Sequence, residues 1–397
     1  MSKLEECILG DLVEFQRGYD LPKSKFVEGK YPVQSSNGIL GYHNEYKVEG
    51  PGITIGRSGT VGNPHLIREN FFPHNTSLFV KEFKGNDIEY IYYLLQYLDL
   101  GNQKSGSGVP TMNRNHLHPI KIRAYRDKTY QQRTIKILSL IDKKIQINNQ
   151  INQELETMAK ILYDYWFVQF DFPDQNGKPY KSSGGKMVYN PELKREIPEG
   201  WGVEKLDDLG TIVGGSTPTK SISDNFTKGG EGYSWITPND LSNNKGNKFI
   251  KNGEIDVTVR GLKDASLKLY PEGTVLMSSR APVGYLAIAT KELTTNQGFK
   301  SFIPDKKYDK NYIYYTLQNC LKVIEQNASG STFKEISATV LKDITIIQPN
   351  LDIVKKFEEK VSSINSYIKV KEEQNQELIQ LRDWLLPMLM NGQVKVE

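Results

Sequence analysis

The sequence predicts an α+β fold: two similar mixed α/β domains separated by an antiparallel coiled coil of two long helices, with an internal pseudo-twofold repeat. Three observations lead to this prediction. Short motifs recur at a nearly constant offset, a heptad segment follows each copy, and the local strand and helix signals agree between the copies. A chain of 397 residues is long enough for several domains that each bury a core.

The internal repeat is the first observation. Residues 90–96 read YIYYLLQ and residues 312–318 read YIYYTLQ, while NQEL occurs at both 152–155 and 375–378. Further matches follow in the same order, with offsets between 220 and 224 residues. This regularity indicates one module present twice. The second copy carries about two dozen extra residues in its early loops, roughly residues 217–247.

Local patterns give each copy the same character. Runs rich in Val, Ile and Thr that are bounded by Gly and Pro, such as residues 52–55 and 274–277, predict strands. The YIYY segments predict helices whose tyrosines pack in the core, because their apolar residues recur on one face. Each copy is therefore expected to be a mixed α/β domain of about 120 to 150 residues.

A heptad segment follows each copy. Apolar positions three and four residues apart extend from Leu138 to Trp166 and again from Val361 to Leu389. Four heptads of this kind predict a coiled-coil seam roughly 43 Å long. Pro387 predicts that the second helix ends or kinks near that position.

Four polar residues interrupt the middle of the two seams: Asn148, Asn152, Lys371 and Asn375. A central polar layer penalises shifted registers, so we expect these residues to set the coiled-coil register. The expected arrangement is an antiparallel pair with the four residues near the pseudo-twofold axis. The alternative is that each helix only covers its own domain.

Composition limits the classes of function. A net charge of +4, from 51 basic and 47 acidic residues, points only weakly to nucleic acid. No apolar run is long enough for a membrane span, and no signal peptide is visible. The two cysteines, Cys7 and Cys320, do not suggest a disulfide framework, which favours a reducing, cytoplasmic setting.

Motifs for catalysis are missing from the sequence. There is no GxxxxGK[ST] loop for a triphosphate, no Asp/Asn-Pro-Pro-aromatic segment and no clear Gly-rich loop for a methyl donor. Asp174 with Glu192 and Lys194 faintly resembles a nuclease cluster, but it lies in a polar linker without a second copy. His116 and His118 could chelate a metal with a third ligand, although alternating residues of a strand near a loop are the favoured interpretation.

Two segments resemble a known family. Residues 162–201 and the C-terminal LRDWLLPMLMNGQV, residues 381–394, closely resemble the linker and tail of specificity subunits of Type I restriction-modification enzymes. Segments such as ITIGRSGTVG and GGSTPT extend the resemblance over essentially the whole chain. The resemblance implies that each domain is a target recognition domain that reads one half of a split, asymmetric site on double-stranded DNA.

The same resemblance implies partners and cofactors. The helices would separate the domains and help bind two methyltransferase subunits, giving an adenine-N6 methylase that uses S-adenosylmethionine. Two motor-nuclease subunits would add restriction that depends on ATP and Mg²⁺. The chain itself would be non-catalytic and would hold no cofactor and no metal.

The resulting division of the chain has five parts. We expect target recognition domain 1 at residues 1–125, spacer helix 1 at 126–170, a linker at 171–200, target recognition domain 2 at 201–349, and spacer helix 2 with the C-terminal tail at 350–397.

Loops at matched positions in the two copies are the candidate DNA contacts, because phosphates and base edges are bound mainly by Arg, Lys, Asn, Gln, Ser and Thr. In the first domain the candidates are Arg17, Lys23, Lys25, Arg57, Ser58, Asn75, Thr76, Lys104, Ser105, Ser107, Asn113, Arg114 and Asn115. In the second they are Ser216, Thr217, Thr219, Lys220, Arg280, Asn296, Gln297, Ser331, Thr332 and Lys334. For each of them the alternative is a solvated loop residue. Arg57 and Arg280 lie one position apart when Gly62 and Gly284 are aligned, so the two need not play the same role.

Three aromatic residues lie near the ends of the seams: Trp166, Phe167 and Trp384. They would either pack internally or contact a methyltransferase subunit, since buried aromatics dominate protein interfaces. Two other functions remain open at this stage. One is a stand-alone DNA-binding protein, and the other is a self-sufficient nuclease or methylase.

Overall fold

The structure, a computed structural model, describes residues 3–102, 111–330 and 334–394. Its contacts divide the chain into two compact units. Unit 1 comprises Met1–Ile147 and Asn375–Glu397, and unit 2 comprises Asn148–Gln374. Each unit contains one mixed α/β domain together with one part of each of two long helices, α3 (Lys128–Tyr163) and α8 (Leu351–Met390).

The domain of unit 1 is built on sheets in which most strand pairs are antiparallel. Its strands are β1 (Glu5–Ile8), β2 (Glu14–Arg17), β3 (Tyr31–Ser35), β4 (Gly38–His43), β5 (Gly52–Gly56), β6 (Pro64–Ile67), β7 (Phe72–Pro73), β8 (Ser77–Glu82) and β9 (Lys121–Ala124). One sheet has the order β2-β8-β5-β6 and another the order β4-β3-β7, with β3 and β7 parallel. Because β1 pairs with β9, the two ends of the domain lie side by side. Helices α1 (Ile88–Tyr97) and α2 (Arg114–Leu117) complete the described part of this domain.

The domain of unit 2 repeats this plan with additions. Its strands are β12 (Gly202–Lys205), β13 (Thr211–Val213), β14 (Phe226–Lys228), β15 (Tyr233–Ile236), β16 (Phe249–Ile250), β17 (Ile255–Val257), β18 (Val275–Met277), β19 (Leu286–Ala289), β20 (Thr294–Thr295), β21 (Ser301–Ile303) and β22 (Thr345–Gln348). The order β13-β21-β18-β19 matches β2-β8-β5-β6, and β16 adds a strand at its edge. Strands β12 and β22 close the domain as β1 and β9 do.

The remaining elements of unit 2 lie around these sheets. A hairpin of β10 (Met187–Asn190) and β11 (Arg195–Pro198) precedes the domain, and a second sheet has the order β14-β17-β15-β20. The helices are α4 (Pro238–Asn243), α5 (Val259–Asp264), α6 (Lys310–Asn327) and α7 (Ala338–Lys342). The extra residues that the sequence places at roughly 217–247 contain β14, β15 and α4.

The YIYY segments form α1 and α6, as the sequence predicts, because each turns its apolar face inward. Tyr90 and Tyr93 are buried in unit 1, and Tyr312 and Tyr315 are buried in unit 2. Burial of large aromatic side chains supplies much of the apolar area of each domain. The interpretation of these tyrosines as core residues is therefore confirmed.

Helices α3 and α8 run antiparallel within each unit. In unit 1, Arg382 Nη1 donates to Asp142 Oδ1 at 3.0 Å. In unit 2, Asn148 Nδ2 donates to Gln374 Oε1 at 3.0 Å, and farther along α3 the ring of Tyr163 lies 5.9 Å from that of Phe357. Within unit 2, contacts thus move backwards along α8 as they move forwards along α3. The predicted α+β fold with its antiparallel helix pair is confirmed.

The ends of the two long helices depart from a regular α-helical heptad repeat. A π-helical turn at Asp164–Val168 continues α3, and α8 passes through Pro387 and ends shortly after it, at Met390, near the predicted position. The backbone carbonyl of Pro387 accepts from Asn391 N at 3.0 Å, and Leu389 and Met390 are buried in the core of unit 1. This packing offsets the cost of a proline inside the last turns.

The polar positions of the seam are largely buried. Asn148, Asn152 and Asn375 are shielded from solvent, whereas Lys371 is half-buried and the adjacent Glu372 is buried instead. Polar groups at such positions favour one register over its neighbours. Their role in setting the register stays a prediction.

Candidate nucleic-acid interface

Three loops of unit 1 are held together by their backbones. The amides of Arg57 and Ser58 donate to the carbonyl of Thr76 at 2.8 and 3.2 Å, and Met112 N donates to the carbonyl of Arg57 at 2.8 Å. The segment after β5 therefore touches both the turn before β8 and the segment before α2. Main-chain bonds of this kind fix a loop without regard to its side chains.

The side chains of these loops form a small polar surface. Arg17, at the end of β2, pairs with Asp20 at 2.9 Å, and Asp20 also accepts from the side chain of Asn75. Arg57 Nη1 donates to the carbonyl of Asn75 at 3.3 Å. Arg17, Arg57 and Asn75 are thus brought together, with acceptors that aim the guanidinium groups.

Unit 2 repeats the arrangement. The amide of Ser279 donates to the carbonyl of Gly298 at 2.8 Å, and Ile336 N donates to the carbonyl of Ser279 at 3.0 Å. On the neighbouring loop, the hydroxyl of Thr217 is bonded to the side-chain oxygen of Gln297. The loops after β13 and β18 and those before β21 and α7 therefore meet at one place.

The hydrogen bonds give a structural alignment of the two arginines. Gly62 N donates to the carbonyl of Gly56 and Gly284 N to that of Ser278, both at 2.9 Å. Arg57 therefore corresponds to the buried Ser279, and Arg280 corresponds to Ser58. Arg280 turns instead towards Glu335, with Nε 3.0 Å from the carboxylate and both side chains substantially exposed.

The other candidates are scattered more widely. Asn113 caps α2 by accepting from Asn115 N at 3.0 Å, and Thr219 N donates to Asp264 at 2.7 Å. Asn296 bonds to the amide of Gly298 at 2.9 Å, and Ser216 N donates to the Thr295 carbonyl at 3.1 Å. Exposed side chains belong to Arg114, Asn115, Lys220, Lys334, and to Lys23 and Lys25 on a separate 3-10 turn. Lys104, Ser105, Ser107, Ser331 and Thr332 lie outside the described residues.

Sequence reasoning missed two acidic residues of these surfaces, Asp20 and Glu335. Each pairs with a candidate arginine. A signal existed for Asp20, because it lies three residues after Arg17 within a Gly-containing turn. None existed for Glu335, which reaches Arg280 only through the fold.

The prediction that His116 and His118 alternate along a strand is wrong. His116 lies in α2, and His118 follows as its C-terminal cap. The cap formed by Asn113 starts a helical turn there, and β9 begins only at Lys121. His118 Nε2 accepts from Phe15 N at 3.0 Å. Burial, together with Lys84 and Arg114 nearby, lowers the pKa of His118, which suits a neutral acceptor.

Two of the three aromatic partner candidates lie inside the protein. Trp166 and Phe167 are 4% and 5% exposed and pack against Phe357, so internal packing is the one of the two alternatives that the structure shows for them. The apolar helix ends turn inward because the π-helical turn directs both rings to the core of unit 2. Trp384 of unit 1 is 58% exposed.

Trp384 belongs to a larger exposed apolar face on the long helices α3 and α8. In unit 1 it comprises Ile137, Leu140, Ile147, Leu381 and Trp384. In unit 2 it comprises Ile151, Met158, Ile161, Tyr367 and Val370. Every one of these residues precedes a seam position by one residue, so within each unit they fall on one side of the antiparallel helix pair. The sequence shows this spacing as apolar residues that stand directly before seam positions.

Over residues 3–102, 111–330 and 334–394, no helix is both long enough and apolar enough to cross a membrane.

The fold and the loop clusters define a class: proteins with two related modules that present side chains suited to phosphates and base edges, Arg and Asn in one module and Arg, Thr and Gln in the other. The particular family follows from comparison with known proteins. The family described as "Type I restriction modification DNA specificity domain" matches residues 1–157 and 198–380, and the chain belongs to this family.

Individual relatives agree with this assignment. The chain is 39% identical over 200 residues to the Type I restriction enzyme MjaIX specificity subunit of Methanocaldococcus jannaschii, covering 48% of this chain and 45% of that protein. It is 28% identical over 319 residues to the HindI specificity subunit of Haemophilus influenzae, covering 68% of each chain. The match to the first relative therefore spans less than half of its length.

A solved structure shares the fold. The S subunit of a Type I restriction-modification system from M. genitalium superposes with a TM-score of 0.57 at 15% identity, covering 98% of this chain and 96% of that one.

Proposed function

We propose that this chain is the DNA-reading subunit of a Type I restriction-modification complex. Each domain reads one half of a bipartite, asymmetric site on double-stranded DNA, and the helices set the spacing between the halves. The chain is non-catalytic. The methyltransferase subunits bind S-adenosylmethionine, and motor-nuclease subunits use ATP and Mg²⁺.

The observation that carries this proposal is the pair of matched loop clusters. Both are built on the same strand order and held by equivalent main-chain hydrogen bonds. Their side chains differ, with Arg57 and Asn75 in one cluster and Arg280, Thr217 and Gln297 in the other. A shared scaffold with different donors and acceptors suits two readers of unequal sequences.

The exposed apolar helix face supports a partner on each unit. Residues such as Leu140 and Ile161, at 58% and 60% exposure, are unfavourable in water and favour a protein surface that covers them. Each unit has its own part of this face, which supports one methyltransferase subunit on each unit, two in all. In the full complex, two motor-nuclease subunits would join them.

Mapping methylated adenines tests the DNA-reading role. The chain is co-expressed with its methyltransferase subunit in a host that lacks other adenine methylation, and the genome is read by long-read sequencing. We expect a single split motif with different halves and a fixed spacer. The methyltransferase subunit expressed alone is the control. A contiguous motif, or methylation that does not depend on this chain, would contradict the proposal.

Charge introduction tests the docking face. Leu140→Asp alters an exposed residue of unit 1, so we expect the chain to fold but to retain much less methyltransferase subunit on co-purification. Gln146→Asp, which introduces the same charge at an exposed residue of the same helix on the side away from the apolar face, is the matched control. Equal retention by both variants would remove this face from the interface.

A further inference from the structure

Lys248 of unit 2 lies directly before β16 with its side chain only 3% exposed. Its ammonium nitrogen is 2.8 Å from Glu156 Oε2 and 2.9 Å from Asn365 Oδ1, and it also contacts the hydroxyl of Tyr315. The ring of Tyr315 lies beneath it, with the centroid 4.0 Å away. Burial lowers the pKa of Lys248 to about 8 against the opposing charge of Glu156, so the ammonium form still predominates at neutral pH.

The backbone at the same position is also bound. The amides of Lys248 and Phe249 donate to the two carboxylate oxygens of Glu372, at 2.6 and 3.0 Å. One short segment of the domain therefore places a buried cation and two amides against the helices. Charge-assisted bonds in a dry environment are strong and directional.

The side chains that bind Lys248 and the amides of residues 248 and 249 lie on different helices and at different positions along the helix axis. Glu156 belongs to α3, whereas Asn365 and Glu372 belong to α8. Asn365 and Glu372 are two turns apart, roughly 10 Å along the helix axis. A slide of the domain by one helical residue, about 1.5 Å, would break contacts at both heights and leave a buried charge without partners.

Unit 1 has no equivalent cation from its domain among the residues described. There the hydroxyl of Tyr93 donates to Asp142 at 2.6 Å, and the cation that completes the contact, Arg382, belongs to the long helix itself. The side chains of Arg382 and Asp142 are 24% and 27% exposed, so this contact is more open to solvent. The fully buried cation is a feature of unit 2.

We propose that Lys248 is a positioning residue: it fixes the orientation of the second recognition domain on its helix segments and thereby helps to define the spacer of the DNA site. This inference rests on the proposed function. It assigns to Lys248 a role in the distance between half-sites and none in reading either half.

The test uses methylation mapping with the complete methyltransferase complex. Lys248→Met removes the charge while keeping most of the side-chain volume, and Lys245→Met makes the same change at an exposed position three residues away. We expect Lys248→Met to methylate sites whose spacer differs by one base pair, with the preference between spacers falling at least about threefold. The two half-sequences should remain unchanged, and Lys245→Met should behave as the unaltered chain.

A second substitution covers the case in which Lys248→Met destabilises the protein. If Lys248→Met gives no methylation, the spacer preference of Glu372→Gln decides the question. This substitution keeps the size of the side chain and one acceptor for the amides of residues 248 and 249. Relaxed spacing with intact half-sequences supports the proposal for either variant. Unchanged spacing, or altered half-sequences, overturns it. If the unaltered chain shows no split motif, the proposed function has failed instead.

Discussion

The two units share a plan and differ in how they apply it. The strand order β2-β8-β5-β6 of unit 1 returns as β13-β21-β18-β19 in unit 2, and main-chain bonds hold the loops in the same way. Arg57 and Arg280, however, lie at adjacent positions of the shared turn. The contacts between domain and helices also differ, since a buried lysine makes them in unit 2 and a tyrosine hydroxyl in unit 1. The scaffold thus constrains where contacts can occur, while side chains decide what each unit contacts.

The largest expected effect is on the free energy of unfolding, and it tests whether the two units unfold independently. Phe357 is fully buried and packs its ring 5.2 Å from that of Phe167 in unit 2. Phe357→Ala should lower the free energy of unfolding of unit 2 by about 3 to 5 kcal/mol, because it removes apolar contacts and leaves a cavity. Hydrogen exchange across a urea series reports each unit separately. Phe15→Ala in the core of unit 1 is the matched control, and equal loss in both units would show that they unfold together.

The next effect is a pH dependence of opposite sign in the two units. Burial, and then the charge of Asp309, raises the pKa of Glu358 to about 7 in unit 2. A raised carboxyl pKa favours the protonated form in the fold, so its stabilisation is complete below the unfolded value and is lost as the pH rises through 7. The loss is about 3 kcal/mol at most.

In unit 1, burial lowers the pKa of His65. The fold therefore favours the neutral ring, and this stabilisation is lost as the pH falls below the ordinary histidine range. From pH 5 to pH 8 we expect the stability of unit 2 to fall and that of unit 1 to rise. Glu358→Gln should flatten the slope of unit 2 in urea titrations, and an unchanged slope would exclude Glu358 as the cause.

A smaller effect concerns DNA reading by the two arginines. Arg57→Ala should weaken binding and relax sequence preference at one half-site only, and Arg280→Ala at the other, each by about 1 to 3 kcal/mol. Binding of the methyltransferase complex to duplexes altered in one half measures this. If both substitutions affected the same half, the assignment of one domain to each half would be wrong.

The smallest effect concerns the carboxylate that pairs with Arg280. Glu335→Gln removes the charge of an exposed ion pair, which contributes at most about 1 kcal/mol. We expect binding at that half-site to tighten slightly and to depend more steeply on salt, because Arg280 becomes free for phosphate. Asp20→Asn is the comparison in unit 1, where Asp20 also binds Asn75. No change in the salt dependence would indicate that Arg280 does not face phosphate.

Much of the fold could be predicted because periodic sequence patterns indicate its domains and long helices. The repeat located both domains, the YIYY segments marked α1 and α6, and heptads marked α3 and α8. The edge details could not be predicted: α8 passes Pro387 because Leu389 and Met390 gain burial in unit 1. Tertiary packing of this kind outweighs a local helix breaker.

The candidate site was predicted less completely. Matching loops gave Arg57 and Asn75 as separate candidates, and the contact between them comes from the strand order, which brings these turns together. Their binding to DNA stays a prediction. Glu335 could not be found, because its contact with Arg280 depends on the path of the chain between β21 and α7. Internal packing and partner contact could not be told apart for Trp166 and Phe167, because a heptad pattern does not show which way a π-helical turn directs its side chains.

The loops of both units are held by amide and carbonyl groups, as with Arg57 N and Thr76 O. Every residue type except proline offers these groups, so the shape of the loop is inherited independently of its side chains. A lineage can therefore change the side chains proposed to contact DNA one at a time without first rebuilding the turn. In evolutionary terms, new target sequences are then reachable through folded intermediates.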